Sequence, residues 1–361
     1  MKKLYSLFAG LSVIMAFGQA GAPATPYYNG FNFNQTGSAL RTALATKITS
    51  THTRTLSYAD VWDALQVADL SPGQSTNVLL LYGFSNSICP ASSSDDNNHR
   101  LRNKNSNGGS ATCEWNREHT FAQSLGNPGL GQSGPGADAH HLRASDVQRN
   151  GQRGSLKFAA GSGNSGTVSG GWYPGDEWKG DVARMMMYMY LRYGNRCLPT
   201  LVGTGSTAAS DSNMLNLFLQ WNAEDPVSQY EDNRNTYLGT TSNTYGQGNR
   251  NPFIDNPYLA TMIWGGPVAE NRWPFLHTET FEMLDAVAVY PNPSNNHKIN
   301  IDSEVVLDEI ELININGQII QRIQRPNASG NTYSLENLPS GFYFLKISAE
   351  NQSTTKKIIV N

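Results

Sequence analysis

Residues 113–123 read CEWNREHTFAQ, and residues 138–154 read DAHHLRASDVQRNGQRG. The first segment places a carboxylate, Glu118, directly beside an imidazole, His119. An oxygen-ligated metal with a nearby neutral imidazole can cleave a phosphodiester, because the metal stabilises developing charge while the histidine takes a proton from water. Adjacent residues of a strand normally point to opposite faces. Both side chains can therefore serve one site only if the strand twists, bulges or ends there.

The second segment supplies an amide after a polar, strand-like stretch. Ser145 and Asp146 are typical N-cap residues and predict a short helix that carries Asn150. Asn150 is predicted to be the second protein ligand of a hard divalent cation; because Gly151 follows it, a helix C-cap or turn is the alternative. Mg²⁺ prefers oxygen ligands and keeps several waters, so one carboxylate and one amide form a minimal site.

Two arginines, Arg153 and Arg184, are candidate phosphate contacts, since a guanidinium matches two phosphate oxygens. Residues 140–200 hold eight Lys or Arg against four Asp or Glu, so 8 − 4 gives +4. The whole chain carries −3. The local excess predicts a basic surface that suits a polyanion, and an ordinary solvated face is the alternative.

The pattern up to residue 283 predicts a mixed domain of helices and strands, so the fold class is α+β. The mean hydropathy of the whole chain, −0.44, excludes a protein with several membrane spans. Helices are predicted at 38–44, 58–65 and 181–193 and from 214 onward, a short buried strand at 78–82, and a polar loop at 85–111. The methionines and tyrosines of the third helix predict core packing.

From residue 284 the composition shifts to short alternating strands. They are predicted at 298–301, 310–315, 319–323, 342–347 and 357–360. Asn316 and Gly317 separate two of them and form a strong hairpin-turn signal. This pattern predicts a small antiparallel β-sandwich domain over residues 284–361.

Residues 1–20 have the features of an export signal: a basic start, an apolar run over residues 4–17, and small residues after it. Cleavage is expected near Ala20 or Ala22, which makes residues 21–283 the first mature domain. A retained anchor is the alternative.

The three cysteines fit an exported protein in more than one way. Cys89 and Cys113 flank a polar loop that a disulfide would close, with Cys197 left over. Free thiols are the alternative.

Six blocks of the sequence resemble the bacterial secreted endonuclease I family and occur in that family's order. They are 116–121 (NREHTF), 138–142 (DAHHL), 150–154 (NGQRG), 179–189 (KGDVARMMMYM), 221–227 (WNAEDPV) and 247–255 (QGNRNPFID). The resemblance implies a ββα-metal (His-Me finger) core and cleavage of DNA, and often RNA, without strong sequence preference. It implies that His119 is the general base and that Glu118 and Asn150 hold Mg²⁺, with Ca²⁺ or Mn²⁺ as alternatives. It also implies products with 5′-phosphate ends. The protein is expected to be a monomer. The last block, 247–255, is expected to be a structural loop near the site.

The tail resembles the C-terminal sorting domain of the type IX secretion system. The matching stretches are 289–293 (VYPNP), 316–318 (NGQ), 338–343 (LPSGFY) and 356–360 (KKIIV). The resemblance implies type IX machinery as a partner, export through the periplasm to the medium or the cell surface, and no stable membrane span. An adhesive or carbohydrate-binding sandwich is the alternative for this domain.

Two other functions compete with a secreted nuclease. A metallopeptidase is disfavoured because His-Glu-x-x-His does not occur in the sequence. A nucleic-acid or surface-binding module without catalysis is disfavoured because Glu118, His119 and Asn150 are all present.

Overall fold

The computed structural model describes residues 22–86, 99–108, 113–273, 284, 287–349 and 352–361. Its contacts divide the chain into two compact units, Met1–Trp273 and Pro274–Asn361. The predicted export signal lies outside the described residues, as do most of the predicted loop 85–111 and most of the chain around the predicted boundary at 283/284.

The described part of the first unit is rich in helices and contains only short strands. The helices are α1 (Gly37–Thr51), α2 (Asp60–Ala68), α3 (Val147–Arg153), α4 (Lys179–Tyr193), α5 (Pro199–Val202), α6 (Asn216–Glu224), α7 (Gln229–Gly239), α8 (Pro252–Asp255) and α9 (Tyr258–Trp264). The strands pair antiparallel as β1 (Asn77–Leu79) with β2 (Leu101–Asn103), β3 (Trp115–His119) with β4 (Leu142–Asp146), β5 (Gly166–Val168) with β6 (Gly171–Tyr173), and β7 (Thr207–Ala208) with β8 (Asp211–Leu215).

The three helices predicted from periodicity are confirmed as α1, α2 and α4. Helix α4 is buried along most of its length, and its four methionines belong to the core, as predicted. The helix predicted from residue 214 begins at Asn216, because the residues before it form β8. The strand predicted at 78–82 is β1 and ends at Leu79. The prediction of a continuous loop over 85–111 was wrong, since β2 lies within it and pairs with β1.

Strands β3 and β4 are followed directly by α3, and this succession builds the site. The carboxylate of Asp146 accepts hydrogen bonds from the backbone N–H groups of Gln148 and Arg149, at 2.9 Å each, which confirms the predicted N-cap. The cap starts the helix at the end of β4. It thereby places Asn150 and Arg153, one turn apart, against β3.

Buried ion pairs hold β4 in the first unit. Asp69, just after α2, accepts hydrogen bonds from Arg234 of α7 and from the backbone N–H of Ala144, the latter at 2.7 Å. Nε of Arg143 lies 3.6 Å from Oδ2 of Asp69, and its Nη1 lies 3.0 Å from Oδ2 of Asp181 in α4. The position of β4 thus depends on charges contributed by three helices and not only on apolar contacts.

The second unit is all-β. Its strands are β9 (Ala288–Tyr290), β10 (Ile299–Asp302), β11 (Glu309–Asn314), β12 (Ile319–Gln324), β13 (Thr332–Leu335), β14 (Gly341–Ala349) and β15 (Gln352–Val360). They form a three-stranded sheet in the order β13-β10-β9 and a four-stranded sheet in the order β12-β11-β14-β15, and both sheets contribute to one apolar core. The five strands predicted here are confirmed, and β9 and β13 were not predicted as separate strands. Gly317, at φ +79°, makes the predicted turn between β11 and β12.

Cys113 is disulfide-bonded and Cys197 is a free, buried thiol, whereas Cys89 lies outside the described residues. Within the described helices, none has both the length and the apolar character needed to span a bilayer.

Candidate active site

An open cleft of about 260 Å³ lies between the end of β3 and the last turn of α3. It is lined by Arg117, Glu118, His119, Ala122, Gln123, Ser124, Asn150, Arg153, Gly154 and Ser155. His119 is the last residue of β3, so the alternation of the strand ends there and both Glu118 and His119 reach the cleft. The pairing of β3 with β4 has no register shift, so of the alternatives left open by the sequence a bulge is not observed.

Glu118 is a buried carboxylate with one oxygen already engaged. Its Oε1 accepts hydrogen bonds from the Tyr82 hydroxyl at 3.0 Å and from Nη1 of Arg153 at 3.1 Å. Burial raises the pKa of Glu118 to about 7, and the opposing attraction of Arg153 only partly offsets it. Oε2 has no hydrogen-bond partner among the described residues, so it is the oxygen left for a ligand.

His119 is held in its neutral form. Its Nε2 lies 2.9 Å from the backbone oxygen of Gly136. Since a carbonyl only accepts, Nε2 carries the hydrogen and Nδ1 keeps its lone pair. Burial lowers the pKa of His119, which favours the same neutral form. Position 136 requires glycine, because a Cβ there would lie 1.8 Å from the backbone oxygen of Gly131.

The amide of Asn150 is oriented by a neighbour on β3. Its Nδ2 donates to Oδ1 of Asn116 at 2.6 Å, which leaves Oδ1 of Asn150 without a partner among the described residues. Asn116 stands two residues before Glu118 and so shares its strand face. Sequence reasoning did not assign this residue, although the period-2 spacing from Glu118 was the available signal.

Arg153 reaches the site, but both of its Nη atoms already donate to protein oxygens. Its Nη1 donates to Oε1 of Glu118 and, at 3.0 Å, to the backbone oxygen of His119, and its Nη2 donates to the backbone oxygen of Thr120 at 2.9 Å. The side chain is 1% exposed. This position favours holding Glu118 and the end of β3 over contacting a phosphate.

Arg184 does not reach the cleft, which corrects its predicted role as a phosphate contact. It is fully buried in α4, where Nε and Nη2 bind the two carboxylate oxygens of Glu231 at 2.6 and 2.8 Å. Its Nη1 donates to the backbone oxygen of Asp225 at 2.8 Å. A guanidinium paired in this way inside the protein has no face for a substrate.

The basic surface predicted for residues 140–200 is also corrected. Four of its eight basic side chains are buried, namely Arg143, Arg149, Arg153 and Arg184. Two of the four acidic side chains, Asp146 and Asp181, are buried as well, so the side chains that are not buried carry 4 − 2 = +2 and not +4. Buried arginines need partners, and this requirement is invisible in a net-charge count.

Two further residues of the site were not predicted. The Tyr82 hydroxyl donates to Glu118, although Tyr82 lies 36 residues before it in the sequence. Arg117 lines the cleft beside Glu118, and its Cζ lies 3.5 Å from the ring centroid of Tyr58. Its place next to the Glu-His pair was the available signal for Arg117; Tyr82 had none.

The block 247–255 supports the segment that leads into β4. Gln247 Nε2 donates to Oδ1 of Asp138 at 2.9 Å, and its Oε1 accepts from the backbone N–H of Ala139 at 2.7 Å. Nε2 of His140 lies 2.9 Å from the backbone oxygen of Asn249. These contacts agree with the structural role expected for this block.

A metal at this cleft would bind oxygen atoms from Glu118 and Asn150. Oε2 and Oδ1 are the unpartnered donors there, and a carboxylate and an amide completed by waters suit a hard divalent cation. In the described part of the chain, no three His, Cys, Asp or Glu side chains are arranged to hold a metal ion. The donor set therefore fits an ion such as Mg²⁺ better than Zn²⁺, which takes more protein ligands.

Fold and cleft together define a helix-rich unit with a carboxylate, imidazole and amide site, joined to a separate all-β unit. A family model described as Endonuclease I matches residues 36–258, and one described as a Secretion system C-terminal sorting domain matches residues 288–361. The first match covers more than half of the chain, which therefore belongs to the endonuclease I family. Both resemblances inferred from the sequence are confirmed.

Two relatives agree with this assignment. The chain is 42% identical over 240 residues to an extracellular ribonuclease of Bacillus amyloliquefaciens, covering 64% of this chain and 75% of the relative. It is 40% identical over 259 residues to an extracellular ribonuclease of Bacillus subtilis (strain 168). This match covers 67% of this chain and 82% of the relative. A solved structure of PorZ from Porphyromonas gingivalis, a surface component of the type-IX secretion system, aligns with 22% of this chain at 17% identity. The TM-score of 0.18 is too low to indicate a shared fold.

The protein is thus a secreted nuclease, located outside the cell or at its surface. Its sorting domain implies the type IX secretion machinery as the export partner.

Proposed function

We propose that this nuclease hydrolyses phosphodiester bonds of RNA and DNA, using a divalent metal ion on Glu118 and Asn150 and His119 as the general base, and leaves 5′-phosphates. The observation that supports this best is that all three side chains line one cleft. RNA is the first substrate to test, because both relatives named above are called ribonucleases. The predicted ββα-metal core is part of this proposal, and it is supported by the succession of β3, β4 and α3 with the proposed ligands on β3 and α3.

His119 takes the proton from the attacking water in this mechanism. Its Nδ1 is free to accept because the contact with Gly136 occupies Nε2, and its lowered pKa keeps it unprotonated at neutral pH. General-base catalysis of this kind contributes roughly 10²–10⁴-fold. Arg153 holds Glu118 and the backbone of the strand end, so base and carboxylate stay in fixed relative positions. A bound divalent cation would supply positive charge for the phosphate and the leaving oxygen.

The full-length protein incubated with RNA and with duplex DNA, with and without EDTA, tests the proposal. Cleavage should stop with EDTA and return with Mg²⁺, Mn²⁺ or Ca²⁺, and the product ends should carry a 5′-phosphate. Glu118→Ala and Asn150→Ala should each need more Mg²⁺ for half-maximal rate, because each loses one oxygen ligand. Cleavage that is indifferent to EDTA would remove the metal from the mechanism, and binding without cleavage would favour the alternative binding module.

A further inference from the structure

The cleft contains an arginine whose charge is not matched by a carboxylate. Of the two arginines that line it, Arg153 is paired with Glu118 at 3.1 Å. Arg117 forms no ion pair with any described residue, and it is only half-buried. The pair of Arg153 and Glu118 is neutral as a unit, so Arg117 supplies the remaining formal positive charge of the cleft lining.

Arg117 is held by aromatic rings rather than by acids. Its Cζ lies 3.5 Å from the ring centroid of Tyr58 and 4.3 Å from that of Trp62. One nitrogen, Nη1, donates to the backbone oxygen of Tyr58. Stacking fixes the plane of a guanidinium without using its hydrogen-bond donors, and Nη2 keeps both hydrogens without a partner among the described residues.

The same tyrosine connects this arginine to the base. The rings of Tyr58 and His119 are stacked, with centroids 5.4 Å apart and planes 24° apart. Arg117 and His119 both line the cleft, and both side chains pack against the ring of Tyr58. Through Tyr58, the guanidinium lies within about 9 Å of the imidazole, close enough for both to act on one stretch of nucleic-acid backbone.

We propose that Arg117 is the phosphate-binding arginine of this cleft, with Tyr58 and Trp62 as the platform that presents it to the backbone of the bound strand. The assignment replaces the phosphate roles predicted for Arg153 and Arg184, which are both buried and donate to protein oxygens. It rests on the proposed nuclease function, since it names the group that holds that substrate. The recognised chemistry is a backbone phosphate, so binding through Arg117 is independent of base sequence.

The salt dependence of RNA affinity distinguishes an arginine that contacts phosphate from one that only supports the structure. Affinity of an RNA single strand is measured in the His119→Ala background, where cleavage is prevented, at several salt concentrations. Adding Arg117→Gln should weaken binding roughly tenfold or more and reduce the slope of log affinity against log salt by about 0.7. Arg117→Lys should keep the slope, because it keeps the charge, yet bind more weakly, because lysine lacks the planar fork.

Arg41 provides a matched control. It also stacks on a tyrosine, with Cζ 4.1 Å from the ring centroid of Tyr190, but it pairs with Asp211 and does not line the cleft. Arg41→Gln should leave both affinity and salt slope unchanged. In the otherwise wild-type protein, Arg117→Gln should raise KM for RNA with a smaller change in kcat.

Two outcomes would overturn the assignment. One is an unchanged salt slope in Arg117→Gln with a lower kcat, which would make Arg117 a brace for Tyr58 and His119. The other is an unchanged affinity of Arg117→Lys for the RNA single strand. This second outcome decides the question if Arg117→Gln does not fold. A wild-type protein that binds RNA but cleaves neither RNA nor DNA would instead contradict the proposed function, and the binding arm would still decide the role of Arg117.

Discussion

Both units have an apolar core, but they differ in how many charged side chains they bury with it. The described part of the first unit buries many charged side chains, among them Asp69, Arg143, Arg184, Glu231 and Arg234. In the second unit the described buried polar residues are Ser294, Ser303 and Glu311, and the rest of the core is apolar. Strands differ as well, with no more than five residues each in the first unit and nine each in β14 and β15.

The contrast shows what a functional cleft demands of its support. An apolar core tolerates exchange among side chains of similar volume, whereas a buried ion pair is strongly destabilised when one partner is removed. The first unit uses such pairs to fix β4, and through β4 it fixes the strand that carries Glu118 and His119. The second unit carries none of the proposed site residues and needs no such fixing.

The largest difference between the units should appear in catalysis. His119→Ala should lower the rate of RNA cleavage by roughly 10²–10⁴-fold, because the proposed base is lost. All seven tryptophans lie in the first unit, so an unchanged fluorescence spectrum shows that this unit is still folded. His297→Ala in the second unit is the control and should keep full activity. A folded His119→Ala protein with near-normal turnover would reject the base assignment.

Stability of the first unit should depend strongly on one buried charge pair. Arg184→Met should cost about 3–5 kcal/mol, because it leaves Glu231 buried without its partner. Urea unfolding followed by tryptophan fluorescence measures this loss. Arg322→Met removes the half-exposed partner of Glu311 in the second unit and should have a much smaller effect on that unit, measured by hydrogen exchange because the second unit contains no tryptophan. If folded Arg184→Met also showed a reduced salt dependence of substrate binding, Arg184 would be a phosphate contact after all.

An apolar truncation should act on the second unit alone. Leu345→Ala removes a fully buried side chain from β14 and should cost that unit about 2–5 kcal/mol. Hydrogen exchange should rise across β10–β15, while tryptophan fluorescence and nuclease rate stay constant. Phe344→Ala, at the neighbouring position with 41% exposure, should cost less. A parallel loss of nuclease activity would show that the two units are coupled.

The smallest expected effect is a change with pH in the free energy of unfolding of the first unit. Burial lowers the pKa of His141 to about 3, and its Nε2 bonds the backbone oxygen of Pro135 at 2.6 Å. Below pH 6.5 the unfolded chain takes up a proton at His141 and the folded chain does not. The contribution of His141 to the free energy of unfolding therefore falls as the pH falls. His141→Gln keeps a donor but does not titrate. The stability gap between wild type and variant should therefore narrow by roughly 2 kcal/mol between pH 7 and pH 5.

Urea unfolding at the two pH values, followed by tryptophan fluorescence, measures this gap. A gap that stays constant with pH would mean that His141 is not held neutral by burial.

Periodicity predicted α1, α2, α4 and α6 and five of the seven strands of the second unit, because these depend on local patterns, whereas α7 and the short strands β5–β8 were not predicted. The buried stripe of α4 and the alternating strands β10, β11, β12, β14 and β15 follow from spacing along the chain. Strand β2 was missed because it exists only by pairing with β1, which lies more than twenty residues earlier in the chain. The site followed the same rule: Glu118, His119 and Asn150 stand in local motifs, whereas Tyr82 reaches Glu118 from 36 residues away.

The sequence by itself determined the family, the order of the two units, the N-cap at Asp146 and the chemistry of the residues around Glu118. Only the tertiary structure decided which arginine is available to a substrate. Arg117, Arg153 and Arg184 are equivalent as sequence letters, and each carries one positive charge. Folding pairs Arg153 with Glu118 and Arg184 with Glu231, and it leaves Arg117 stacked on Tyr58 at the cleft. A buried charge must find a partner because desolvation is costly, and those partners are chosen by contacts between segments far apart in the chain.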